Sequence, residues 1–152
     1  MYRGSIRLGT IFGIEIRLDY SWFIIFFLIT WSLAAHRLPM MSPAWSTAAY
    51  WIVGIITSIL FFSSVLIHEL AHSMVALRQG VPVHSITLFI FGGAAQIAQE
   101  PKQAKDEFMM AFAGPAASLI LSGIFWGLWL ILHNTNEALV TILSWLGSVN
   151  LM

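Results

Sequence analysis

Twenty consecutive uncharged residues, Ala48 to Ile67, run directly into His68-Glu69-Leu70-Ala71-His72. An apolar stretch of that length reads as a membrane-crossing helix. Ionisable side chains at the end of such a stretch are costly to place in a bilayer, so they mark a functional site by default. On a helix, His68 and His72 are four apart and lie on one face, where both ring nitrogens can converge on one ion. Glu69 lies beside the pair and can reach a water bound to the same ion. This is the pattern of a zinc hydrolase, with His68 and His72 as candidate ligands and Glu69 as candidate base.

Composition places that motif in a membrane protein. The 152 residues are 59% hydrophobic and 9% charged, with a mean hydropathy of +0.83, whereas soluble domains carry about 25% charged residues. Seven basic and seven acidic residues balance, which gives no footprint for nucleic acid. There is no cysteine, so a disulfide framework and a thiolate zinc site are both excluded. Any transition metal must be held by His, Asp or Glu.

The expected fold is a membrane all-α bundle of three full transmembrane helices plus the start of a fourth, with a small β element. Residues 1–152 form one membrane-embedded domain, with an N-terminal strand region at 5–18 and a β-hairpin at 84–99. Ile14 to Asp19 alternates apolar and polar, the period of a half-buried strand. The first helix runs from Tyr20 to His36. Glu15 and Asp19 precede it, so it is a retained helix rather than a signal peptide. The second extends to Gln79, with Gly80 as its C-cap and Pro82 preventing continuation. Its 32 residues from Ala48 span about 48 Å, more than the ~30 Å hydrocarbon core, which puts the motif toward one membrane face. Gly92-Gly93 reads as a two-residue hairpin turn, followed by the polar stretch Glu100 to Glu107. A third span covers Phe108 to Leu132, with Gly114-Pro115 as an irregularity that lets helices approach closely. The fourth apolar run, Ala138 to Met152, is too short to span. Basic residues divide six to one across three spans, with Arg37 alone, which predicts a cytoplasmic N-terminus and hairpin.

A catalytic zinc takes three protein ligands and an open position, and the sequence displays two. A histidine at position 78 would extend the motif, but Arg78 stands there. His84, Asp106 and Glu107 are the remaining candidates, each with a plainer role at a strand start or a helix N-terminus. A Ser64–His68 dyad also has helical spacing, but it would leave Glu69 and His72 without roles. The bland alternative for the motif is a set of polar residues facing a bundle interior.

The order and spacing of several segments resemble the site-2 protease family of intramembrane zinc metalloproteases, peptidase family M50. They are Phe62 to His72, Phe89-Ile90-Phe91-Gly92-Gly93, Glu107-Phe108 and Phe112-Ala113-Gly114-Pro115-Ala116-Ala117-Ser118, together with Gly13-Ile14 through Ser21-Trp22-Phe23. The resemblance implies a zinc ion held by His68, His72 and an aspartate of a later L-D-G motif, which this sequence lacks. Asn150 resembles the asparagine that opens the helix leading to it, so the chain reads as the N-terminal portion of such a protease. The implied reaction is hydrolysis of peptide bonds in or near transmembrane segments of membrane-protein substrates, with Glu69 activating a zinc-bound water. The implied setting is a bilayer, a bacterial or archaeal cytoplasmic membrane, and the oligomeric state is open. The alternatives are a membrane metal-binding or metal-transport protein, or an inactive fragment of the protease. A transporter has no use for a base beside two ligands, and the spans offer few other ionisable groups.

Overall fold

The alternation over Ile14 to Asp19 becomes strand β2 (Ile14–Asp19), in which Ile14, Ile16 and Leu18 are buried and the three polar residues are half-exposed. The computed structural model describes residues 4–99 and 103–152; Arg3 and Lys102 of the charge count, and Glu100 of the polar stretch, lie outside them. The N-terminal region supplies two strands rather than one. Strand β1 (Ser5–Ile11) pairs antiparallel with β2 through a turn whose Phe12 and Gly13 adopt positive φ, 52° and 82°. On the polar face, Glu15 accepts from Arg7 at 2.8 Å and Arg17 at 3.0 Å, partly exposed pairs worth about 0.2–1 kcal/mol each.

Strand β3 (Val83–Phe89) lies parallel to β2, and β4 (Gly92–Ile97) antiparallel to β3, which gives a four-stranded sheet in the order β1-β2-β3-β4. A parallel pair cannot be closed by a tight turn. Here the crossover is the whole helical excursion between Tyr20 and Arg78. The second turn is Ile90-Phe91, with Phe89 paired to Gly92. The sequence-based turn at Gly92-Gly93 is therefore displaced two residues upstream, and both glycines belong to β4. Gly93 is held in the strand, with its backbone against the Glu69 side chain.

Helix α1 (Tyr20–Ser32) starts where Asp19 accepts hydrogen bonds from the Ser21 hydroxyl at 2.6 Å and the Ser21 N–H at 2.9 Å, an N-cap arrangement. A π turn over Leu33–Arg37 follows, and Leu38 N–H bonds Leu33 O across it. Short helix α2 (Leu38–Met41) then carries Pro39 in its first turn, where a missing N–H costs nothing. Helix α3 (Thr47–Arg78) is one 32-residue rod. Its C-terminus is a Schellman cap: Gly80 has φ +76°, Val81 N–H bonds Ala76 O, and Gly80 N–H bonds Leu77 O. Helix α4 (Ala104–Leu132) contains Pro115, and α5 (Glu137–Leu151) is capped by Asn136. Tyr20–Met41, Thr47–Arg78 and Ala104–Leu132 are each long and apolar enough to cross a membrane.

The chain organises as two compact units. One comprises the residues up to Ile25 with Val65–Ala117, and the other Phe26–Ser64 with Ser118–Met152. In the first, Ile14, Ile16, Val83 and Ile86 of the sheet pack with Ala76 and Val81, flanked by Leu66, Leu70, Leu77, Ala95 and Met110. In the second, Leu33, Leu38, Val53, Ile142 and Leu146 form the core, and the buried Thr30 hydroxyl donates to Ser58 Oγ at 2.8 Å. Gly54 permits that approach, since a Cβ there would lie 3.3 Å from Thr30 O.

The two bonds from Ser21, the side-chain one the stronger, hold the Asp19 carboxyl below its usual 3.8. A depressed folded-state pKa contributes stability at neutral pH that is lost as pH falls through the folded value. Thermal unfolding in detergent between pH 6 and pH 3 should therefore show an acid-side loss that Asp19→Asn reduces. An unchanged pH dependence in that variant contradicts the cap.

Candidate metal centre

Helix α3 presents His68 and His72 on one face because they are one turn apart, and the structure brings their rings together. The Nε2 atoms lie 3.1 Å apart and the ring centroids 4.8 Å apart. Two nitrogens each about 2.0–2.1 Å from one tetrahedral zinc would be ~3.3–3.4 Å apart. The observed separation is within a few tenths of an ångström of that, so the pair fits two positions of a zinc shell.

The orientation of His72 is fixed from α4. Its Nδ1 lies 2.7 Å from the carbonyl oxygen of Met110. A carbonyl only accepts, so Nδ1 carries the proton and Nε2 is left with its lone pair for an ion. The same helix supplies the space in front of that lone pair. A Cβ at Gly114 would fall onto His72 Nε2 and Cε1 and lie 2.6 Å from His68 Nε2. Only a glycine leaves the cradle over the two nitrogens open. Pro115, the next residue, removes an N–H and with it the helical bond to the Ala111 carbonyl.

Glu69, half-buried on the adjacent position of α3, faces the hairpin. A Cβ at Gly93 would intersect its Cγ, approach its Cδ to 2.9 Å and its Oε1 to 3.2 Å. The backbone of β4 thus runs directly against the Glu69 side chain.

The other sequence candidates are not gathered here. His84 is exposed at the start of β3, and Asp106 and Glu107 stand in the first turn of α4. Asp106 is engaged through its backbone, whose carbonyl accepts from Gln79 Nε2 at 3.0 Å. Among the described residues no group of three or more His, Cys, Asp or Glu side chains is placed to hold a metal ion. The Ser64 hydroxyl donates to Leu60 O at 3.1 Å within its own helix, which removes support for a serine–histidine dyad. Sequence reasoning missed Met110, Gly114 and Gly93 as parts of the site. Met110 acts through its backbone and leaves no side-chain signal, while both glycines were visible and were read as a packing irregularity and a turn.

The chain is similar to proteins named as zinc metalloproteases. The family model described as Peptidase family M50 matches residues 56–150. Rip3 of Mycobacterium tuberculosis, named as a zinc metalloprotease, is 40% identical over 152 residues, 99% of this chain and 38% of its own length. A Synechocystis protein, sll0528, likewise named, is 46% identical over 119 residues, covering 77% of this chain and 30% of its own. The solved site-2 protease from Methanocaldococcus jannaschii superposes with a TM-score of 0.65 at 30% identity, covering 97% of this chain and 64% of that one. The chain thus spans between 30% and 38% of these two curated relatives' length.

Substituting Gly114→Ala is expected to lower zinc affinity by roughly 10-fold or more, on the scale of lost supporting interactions at metal sites. Competition titration with a chelator on the purified protein reads this directly. Wild-type affinity in that variant would mean the cradle has another shape.

Proposed function

The chain belongs to peptidase family M50, the site-2 protease family of zinc metalloproteases, and is a multi-pass membrane protein; from this we propose that it is the part of an intramembrane zinc endopeptidase that carries two metal ligands and the catalytic base. The observation that carries the reading is the convergence of His68 and His72 Nε2 at 3.1 Å under the gap left by Gly114. His68 and His72 would hold the zinc, with a third ligand from outside the described residues. Zinc, when bound, supplies a Lewis acid that polarises a carbonyl and acidifies water.

The chain's own residues do the rest. Met110 O keeps the His72 proton on Nδ1, so the imidazole stays a nitrogen donor at Nε2. The Glu69 carboxylate takes a proton from the attacking water as it adds to the peptide carbonyl, and returns it to the leaving amine. Glu69 also separates this reading from metal transport, which needs no base beside two ligands. The substrate class is a transmembrane protein cleaved in or near its membrane segment, and the N-terminal strands and hairpin face the cytoplasm.

A helical substrate must be locally extended before its peptide bond is reachable. Strand β4 is the last strand of the sheet, and its outer edge offers backbone groups to an extended segment. A cavity of about 550 Å³, lined by Asp19 of β2, Ser85, Thr87 and Phe89 of β3 and Gln96 of β4, offers room for side chains.

Glu69→Gln should retain zinc and lose at least ~10²-fold in cleavage, the lower range for general acid–base catalysis. Cleavage of a reconstituted transmembrane substrate, with zinc measured on the same sample, tests this; retained cleavage removes Glu69 from its role. For strand capture, proline is introduced singly from Ala94 to Ile97. Positions whose N–H faces away from β3 should slow cleavage of the membrane substrate without loss of folding, and uniform wild-type rates count against it.

A further inference from the structure

The hairpin contains two adjacent glycines, and the structure gives them different reasons to be glycine. Gly92 has φ +126°, a conformation that side chains rarely adopt, and a Cβ there would meet nothing within 4 Å. Gly93 is not among the residues with positive φ. Its constraint is steric: a Cβ would intersect Glu69 Cγ and press on Cδ and Oε1.

Two features make that contact hard to relieve. Cγ is placed by χ1 alone, and a helical residue has essentially two χ1 choices. Moving Cγ therefore means a rotamer change that relocates the whole carboxylate. The strand cannot retreat easily either. Gly93 pairs with Leu88 and Ala95 with Ile86; Ile86 is fully buried, and Ala95 packs against the same core.

We propose that Gly93 is a positioning residue for Glu69: the bare backbone of β4 at this point confines the Glu69 side chain to the rotamer from which its carboxylate acts. This rests on Glu69 being the base. The hairpin thereby sets the pose of the base from the side opposite its covalent attachment to α3. Gly92, one residue away, serves the hairpin's backbone and does not touch Glu69.

A stability cycle separates steric positioning from a general need for glycine, and it requires no cleavage assay. In this protein, Gly93→Ala should lower the melting temperature by ~2 °C or more, the lower end of overpacking in a chain of this size. The same loss should appear in a Glu69→Gln background, where Cγ and Cδ remain. It should largely vanish in Glu69→Ala, where they are gone. Gly92→Ala should cost the same in all three backgrounds. Equal loss for Gly93→Ala in every background overturns the proposal. In the active protein, Gly93→Ala should reduce kcat with KM and bound zinc unchanged, because Gly93 contacts neither histidine. Unchanged kcat, or a loss explained by missing zinc, also overturns it. If Glu69→Gln proves active, the assignment of Glu69 as the base fails while the stability cycle still reports the contact.

Discussion

The site depends on backbone approaching α3 more closely than any side chain would allow. Around the turn from His68 to His72, two neighbouring segments come in at glycine. Helix α4 does so at Gly114 over the histidine nitrogens, and β4 does so at Gly93 against Glu69. Close approach replaces water with fixed walls, and it brings a peptide carbonyl, that of Met110, within 2.7 Å of His72 Nδ1. In an apolar setting a backbone carbonyl is a dependable partner, because it cannot change rotamer or protonation state. The histidine is oriented by main chain, the part of the protein least altered by substitution.

Those approaches are held by conventional packing. Ile14, Ile86 and Ala76 are fully buried in one cluster, and this cluster ties the sheet to the same segment of α3 that carries the motif. The Schellman cap at Gly80 ends α3 and Val81 joins the core immediately, so the chain enters β3 in a defined register. The crossover from β2 to β3 spends the helical excursion on bringing two strands side by side. The resulting sheet gives β4 a stable neighbour and so fixes where Gly93 falls.

The chemistry follows from this division of tasks. Side chains of α3 supply the candidate reactive groups, α4 supplies orientation and clearance, and the hairpin supplies a wall beside Glu69. Two imidazoles and one carboxylate converge there in a chain of a zinc metalloprotease family.

Much of this was legible in the residues. The uncharged run from Ala48 announces a membrane helix, the four-residue spacing puts both histidines on one face, and Gly80 with Pro82 marks the end of α3. Local periodicity determines such features, and they survive in the structure. That the strand region at 5–18 folds back into two paired strands was not legible, because Ser5 to Ile11 lacks strict alternation and carries a bulge between Arg7 and Gly9. Nor was the hairpin turn: Gly92-Gly93 has turn chemistry, and only the position of Glu69 in space shows that Gly93 is needed for clearance inside a strand. Gly114 likewise reads as a helix defect until the histidine rings are seen beneath it. The sequence by itself determined which candidate groups share one face and on which helix. Tertiary structure decided what orients and confines them, because a missing Cβ or a backbone carbonyl acquires meaning only from the atom it faces.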